Sequence, residues 1–199
     1  MSYFAAAIAR KMGLKKKTVN TLLYAAPMQD IGKIGIPDHI LLKPGKLDEK
    51  EWEIMKSHTT IGVDVLTGSN IDLVKMGRVI ALSHHEKWDD SGYPQGLKGR
   101  KIPLIGRIVA IADVFDALTS KRPYKEAFSV EKSNRIIAEG REAHFDPDVV
   151  DAFFQFKIRS SGTKHSTRKN DEIQRPVAAL NFAERQGEDG NPRQSIRSK

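Results

Sequence analysis

The chain has no cysteine among its 199 residues. This absence excludes a disulfide framework, a thiolate metal site and a cysteine nucleophile. Any bound metal ion must therefore be held by His, Asp, Glu and water. Such hard or borderline ligands suit Fe, Mn, Zn or Mg.

Long apolar runs are also missing. No stretch approaches the roughly 18–20 apolar residues that a membrane-spanning helix needs. The short apolar segment within residues 1–14 is not preceded by the basic residues of a secretory signal. We therefore expect a cytoplasmic protein with no membrane partner.

Aromatic residues are sparse, at 7%, and the net charge of +8 is unevenly spread. Residues 157–199 hold ten Lys and Arg against five Asp and Glu. This stretch is polar and aperiodic, so we expect residues 158–199 to form a basic, mostly disordered tail. Its one aromatic residue, Phe182, provides no series of stacking platforms. Nucleic-acid binding is therefore the least favoured function of those considered.

Residues 1–157 show helical periodicity and no convincing two-residue alternation. We predict an all-α bundle in which residues 108–112 are helical despite their strand-like composition. Gly32, Gly35 and Pro37 predict a loop, as does the Gly- and Pro-rich stretch 89–100. The predicted helices lie at Tyr3–Met12, at Thr18–Ala26, after caps at Asp48 and Asn70, from Pro103, from Ser129 to about His144, and from Asp146-Pro147 to Phe156.

Four placements of His and Asp are candidates for metal chemistry. Asp30 follows a predicted helix, His58 lies at or just past the end of another, and His84-His85 closes a third. Asp113 lies within an apolar helical segment. Burying an unpaired carboxylate costs several kcal/mol, so Asp113 calls for a cation. A tandem His pair can serve two metal ions, and two ions roughly 3.5–4 Å apart can activate water against a phosphodiester.

Each of these residues has a structural alternative. His58 could be a structural histidine, and Asp113 could be a helix cap or a partner of Arg107. Lys33, one turn from Asp30, could neutralise a phosphate oxygen or could simply be solvated.

Three other histidines lack comparable surroundings in the sequence. We predict that they are surface residues: His39, His144 and His165.

Three long stretches, in the expected order, resemble the HD-GYP family, a branch of the HD-domain phosphohydrolases that degrades cyclic di-GMP. The resemblance covers roughly residues 1–156 and includes KPGKL at 43–47. The stretches are QDIGKIGIPD (29–38), HHEKWDDSGYPQGLKG (84–99) and RIVAIADVFDALTSKRPYKEA (107–127).

The resemblance implies an HD-type helical bundle with a site for two or three divalent metal ions, such as Fe or Mn. Asp30 would bridge two ions and act with Lys33 in catalysis. The implied metal ligands are Asp30, His58, His84, His85 and Asp113. The implied contacts to phosphate or guanine are Lys33, Tyr93, Arg122 and Lys125, with Tyr93 lining the substrate pocket.

The chain departs from the family pattern at three places. Gln29 stands where the family has the His of its HD motif, and an amide oxygen is a much weaker ligand than imidazole. A Glu and a His that the family places just ahead of this segment are absent, so we expect an upstream start or a longer gene. Asp90 replaces a usual Gly.

Two functions remain open from the sequence. The first is hydrolysis of cyclic di-GMP to pGpG or GMP, impaired by the missing ligands. The second is a weak or inactive cyclic di-GMP-binding protein that acts through partner contacts, for example with a GGDEF-type diguanylate cyclase. The family resemblance also implies an upstream receiver or sensor domain.

Overall fold

The structure is a computed structural model that describes residues 1–121 and 126–161, with side chains described up to residue 156. Within these ranges the chain forms α-helices and two 3-10 segments and no strand, so the predicted all-α class is confirmed. Most of the predicted disordered tail lies outside the described residues. Its first four residues, 158–161, continue the last helix.

The described helices follow one another through turns and loops, including a long loop at residues 84–98. In chain order they are α1 (Ser2–Lys11), α2 (Lys16–Ala25), a 3-10 segment (Ala26–Gly35), α3 (Asp38–Leu41), α4 (Glu49–Lys56), α5 (His58–Val65), α6 (Asp72–Ser83), a short 3-10 turn (Gly99–Lys101), α7 (Leu104–Thr119), α8 (Val130–Glu139) and α9 (Pro147–Ser161).

The predicted capping box at α4 is present. The Glu51 backbone N–H donates to Asp48 Oδ1 at 2.9 Å, and the Asp48 N–H donates to Glu51 Oε2 at 2.8 Å. Two otherwise unsatisfied donors are thereby paired at the start of the helix that leads to His58.

The hydrophobic core lies among α1, α2, α6, α7 and α9, with α8 contributing Ile137. On α7, Phe115 meets the ring edges of Phe4 and Phe153 at centroid distances of 5.0 and 5.1 Å. The apolar segment that surrounds Asp113 is thus a core helix, with Ile108, Ile111 and Phe115 buried.

Three local predictions were wrong. Residues 26–35 form a 3-10 segment rather than a loop, because this stretch packs closely against α5 and α6. The cap predicted at Asn70 is absent, because α6 begins at Asp72 with Ile71 as its N-cap residue and no side-chain cap. His58 does lie just past the end of α4, as predicted, and it also begins a further helix, α5. The α8 helix stops at Glu139 instead of His144, because Gly140 lies against the Phe145 ring and the Phe145 N–H turns back to Gly140 O.

No helix in the part of the chain that the structure describes is both long and apolar enough to cross a membrane.

Candidate metal centre

The 3-10 segment brings the first candidate ligand to the second. A Cβ on Gly32 would lie 1.9 Å from the carbonyl oxygen of His58 and 2.4 Å from the nitrogen of Gly62. Only glycine allows the backbones of the 3-10 segment and α5 to approach so closely. This contact holds Asp30 beside His58, although 28 positions separate them in the chain.

Backbone carbonyls orient two of the histidines. His58 Nδ1 lies 2.7 Å from Met55 O, and His84 Nδ1 lies 3.0 Å from Ile80 O. A carbonyl oxygen can only accept, so each Nδ1 carries the proton and each Nε2 keeps its lone pair. This tautomer is the one that lets Nε2 bind a metal ion.

Four side chains can bring one ligand atom each to within 4.8 Å of all the others: Asp30, His58, His84 and His85. We call them the four-ligand cluster. Asp30 Oδ1 lies 3.7 Å from His58 Nε2 and 3.9 Å from His84 Nε2. Both distances exceed a hydrogen bond, but two atoms bound to one ion at about 2.1 Å each can be up to about 4.2 Å apart.

The two Nε2 atoms provide a test of whether a metal ion fits. Both are buried and have no hydrogen-bond partner in the described structure. An unsatisfied buried polar atom is costly, and a bound ion or water is a usual way to satisfy it. A cation beside the Asp30 carboxylate would satisfy both, so the residues present fit a divalent metal ion.

The electrostatics of the cluster also favour a cation. Burial lowers the pKa of His58 to about 4 and shifts the pKa of His85 well below its ordinary value. Both imidazoles are therefore neutral at neutral pH, as ligands must be. Burial alone would raise the pKa of Asp30, but the charge of the Lys33 ammonium holds it below its ordinary value. Lys33 Nζ lies 3.0 Å from Asp30 Oδ2.

Gln29 and Asp113 form a separate arrangement, the amide–carboxylate pair. Gln29 Nε2 donates to Asp113 Oδ1 at 2.6 Å. Burial raises the pKa of Asp113, while the Gln29 hydrogen bond lowers it. Asp113 is not a member of the four-ligand cluster, and its role as a metal ligand stays a prediction.

The loop that carries the Gly-Tyr-Pro sequence folds over the histidine pair. The Tyr93 ring stacks on the His85 ring, with centroids 4.7 Å apart and planes inclined by 24°. The Tyr93–Pro94 peptide bond is cis. Asp90, which replaces the family's usual Gly, has a φ of 74°. This left-handed conformation explains why Gly is common there, although Asp tolerates it better than most residues.

Glu86 was not among the predicted site residues. This carboxylate is 2% exposed and accepts from the backbone N–H groups of Gln95 and Leu97, both at 2.8 Å. An acid beside a polar loop is ordinarily read as solvated. The available signal was the loop itself, whose buried N–H groups need acceptors.

Several other predicted residues have different surroundings from those expected. Arg107 pairs with Asp146 and Ile102 O, so the alternative that it pairs with Asp113 was wrong. His39 is exposed as predicted, whereas His144 is half-buried and stacks on Phe145. Arg122, Lys125 and His165 lie outside the described residues.

Comparison with known families explains this combination of fold and site. The family model described as HD domain matches residues 1–149. The chain therefore belongs to the HD domain family, and the resemblance to its HD-GYP branch noted in the sequence is confirmed by the relatives that follow.

Two curated proteins illustrate the relationship. A Thermotoga maritima protein named cyclic di-GMP phosphodiesterase is 48% identical over 172 residues, which cover 86% of this chain and 46% of that protein. A Xanthomonas campestris protein named cyclic di-GMP phosphodiesterase response regulator is 50% identical over 155 residues, covering 78% of this chain and 41% of its own length. The chain thus spans less than half the length of these two relatives.

Among solved structures, a cyclic GMP-AMP specific phosphodiesterase of Vibrio cholerae superposes with a TM-score of 0.59 at 20% identity. The match covers 80% of this chain and 43% of that one. At this identity the likeness concerns the fold alone.

Proposed function

We propose that this chain is a metal-dependent phosphodiesterase domain that hydrolyses cyclic di-GMP to pGpG or GMP. The observation that carries the proposal is the pair of buried, unsatisfied Nε2 atoms of His58 and His84 beside the Asp30 carboxylate. The substrate is suggested by the names of relatives that are 48% and 50% identical to this chain.

The four-ligand cluster would hold a divalent ion such as Fe or Mn, and a second ion would need Asp113 and position 29. Bound ions would supply Lewis-acid activation of a phosphoryl oxygen and of water. Asp30 contributes an ionised carboxylate. Lys33 contributes positive charge beside it, where charge develops on a phosphate oxygen. Tyr93, Arg122 and Lys125 stay our predicted substrate contacts.

The test is hydrolysis by the purified chain supplied with Mn²⁺ or Fe²⁺. We expect release of pGpG from cyclic di-GMP, followed by chromatography, and none from the His84→Ala variant. The hybrid dinucleotide 3'3'-cGAMP should be assayed beside it. A Vibrio cholerae protein named 3'3'-cGAMP-specific phosphodiesterase 2 is 45% identical over 148 residues, covering 74% of this chain and 28% of its own length. Absence of turnover with metal demonstrably bound would reject the proposal.

A second function is favoured by the amide–carboxylate pair. Because Gln29 donates to Asp113, a ligand position of the proposed second ion is engaged within the protein. A chain with one weakened ion site could bind cyclic di-GMP and act through partner contacts without efficient hydrolysis. Calorimetry distinguishes the two functions, since binding without product supports the second, and absence of binding rejects it.

A further inference from the structure

The loop formed by residues 92–97 is built onto the backbone of the histidine pair. A Cβ on Gly92 would lie 2.2 Å from Lys87 N and 2.6 Å from His85 O. The next residue, Tyr93, donates its backbone N–H to His85 O at 3.2 Å. The start of the loop therefore cannot shift without moving the segment that carries His85.

The far end of the loop is tied to the same segment by Glu86. Both carboxylate oxygens accept backbone N–H groups, one from Gln95 and one from Leu97. Hydrogen bonds to an ionised acceptor are stronger than those between neutral groups. Glu86 is fully enclosed at 2% exposure, so its carboxylate is available to the loop and not to solvent.

Between these two ties, the Tyr93 ring lies on the His85 imidazole at 4.7 Å. The same ring has Trp52 at its edge, with centroids 6.0 Å apart, and the Lys56 ammonium over it at 5.8 Å. The ring is thus packed among protein groups, and its stacked partner is a member of the four-ligand cluster.

We propose that Tyr93 and Glu86 are positioning residues for His85. The hydrogen bonds of Glu86 fix the loop in place. The fixed loop keeps the Tyr93 ring stacked on the His85 imidazole, and this stacking restricts rotation of the imidazole. This inference rests on the metal site of the proposed function, and it assigns Tyr93 a role beyond contact with substrate. Outer groups that orient metal ligands typically change metal affinity or activity by about 10–100-fold when they are mutated.

The test compares Tyr93→Phe, Tyr93→Leu and Glu86→Gln with the unmodified chain. Tyr93→Phe keeps the stacked ring, and Tyr93→Leu removes it. Glu86→Gln keeps the shape of the side chain but replaces one carboxylate oxygen by an NH₂ group. That NH₂ group cannot accept the hydrogen bond from the backbone N–H that faces it. Matched controls are Tyr24→Leu, on a side chain 68% exposed on α2, and Glu139→Gln on the exposed side of α8. Circular dichroism verifies that each variant is helical.

Two readouts are independent of turnover: Mn²⁺ affinity by equilibrium dialysis, and the visible spectrum of the Co²⁺-loaded protein, which reports histidine ligation. We expect both controls to match the unmodified chain in Mn²⁺ affinity and Co²⁺ spectrum, and Tyr93→Phe to lie closer to it in both than Tyr93→Leu does. Tyr93→Leu and Glu86→Gln should bind Mn²⁺ about 10–100-fold more weakly, with altered Co²⁺ bands.

The failures are distinguishable. If the unmodified chain binds Mn²⁺ and releases pGpG, but Tyr93→Leu or Glu86→Gln keeps the unmodified affinity and spectrum, the positioning role is overturned and the proposed function stands. If the unmodified chain binds no Mn²⁺ or Co²⁺, the proposed metal site and this inference fall together. Glu86→Gln preserves side-chain volume, so it decides the question even where the loss of the Tyr93 ring destabilises the loop.

Discussion

Asp30 and Gln29 are neighbours on one 3-10 segment, yet they belong to two chemically different sides of the site. Asp30 faces His58 and His84, whose Nε2 atoms are buried and unsatisfied. Gln29 donates to Asp113, so on that side one carboxylate oxygen already has a partner. The first side has two unsatisfied imidazole nitrogens that favour a cation. On the second side the Gln29–Asp113 hydrogen bond satisfies one carboxylate oxygen, and Gln29 Oε1 is the buried atom left without a hydrogen-bond partner in the described structure.

This difference indicates that the side chain at position 29 affects how strongly the second side of the site binds a metal ion. An imidazole at position 29 would present a strong ligand where the amide now presents a donor to Asp113. We therefore expect one ion to bind tightly at the four-ligand cluster and a second to bind weakly. The predictions below test this asymmetry, beginning with a change that should disrupt both sides.

The largest effect is expected for Gly32→Ala. Its new Cβ would meet the backbone of His58 and Gly62, so the 3-10 segment and α5 must separate. The free energy of unfolding should fall by at least about 1–3 kcal/mol, with loss of metal binding, as measured by urea denaturation and elemental analysis.

Gly35→Ala, in the same segment, is the matched control. The three atoms nearest to its Cβ would all belong to the side chain of Ile61, at 2.9 to 3.7 Å, and none to the backbone. A Gly32→Ala protein as stable as Gly35→Ala would contradict the proposed close contact.

Removing a ligand from the four-ligand cluster should abolish the tight ion but leave the fold. His84→Ala deletes an Nε2 that faces Asp30, and we expect Mn²⁺ affinity to fall by more than the about 10–100-fold that loss of an outer partner causes. The exposed His39→Ala variant should bind Mn²⁺ normally. Equal affinities in the two variants would remove His84 from the site.

Strengthening the other side should add metal. Gln29→His exchanges the amide for an imidazole beside Asp113, and elemental analysis should find a higher ratio of metal to protein. The control is Gln155→His, which adds a histidine at an exposed position on α9. An unchanged ratio in Gln29→His would show that position 29 does not limit the second ion.

The smallest effect is expected for Asp113→Asn in the unmodified chain. Because Asp113 lies outside the four-ligand cluster, the tight ion should remain, within a few-fold in Mn²⁺ affinity. In the Gln29→His variant, Asp113→Asn should remove the additional metal ion that the new histidine binds. Residues 29 and 113 are in contact, and substitutions of residues in contact have non-additive effects. If Asp113→Asn alone abolished binding of the tight ion, Asp113 would be a ligand of that ion and the predicted asymmetry would be wrong.

Local patterns in the sequence were sufficient for the helical class and for several boundaries. The capping box at Asp48 and Glu51 was predictable because its residues lie three positions apart and interact only with each other's backbone. The start of α5 was not, because Ser57 carries no strong break signal. The end of α8 depends on contact between Gly140 and the Phe145 ring.

The candidate ligands could be identified from motifs in the sequence. Their arrangement in space could not be predicted. Asp30, His58, His84 and His85 were all predicted, and the structure brings them together. Glu86 was missed because its burial follows from a loop that closes over it. His144 was misjudged for the same reason, since its half-buried state depends on the fold around it.

The sequence by itself determined that this is a helical HD-domain chain with His and Asp as candidate metal ligands, without cysteine, and with Gln at position 29. Those properties follow from composition, periodicity and motifs, which are local. Only the tertiary structure decided that Gln29 reaches Asp113, 84 positions away, and that the Gly-Tyr-Pro loop lies on His85. The missing Cβ atoms of Gly32 and Gly92 let backbone segments that are not helical neighbours approach each other. No local pattern in the sequence encodes which partner such an approach brings near.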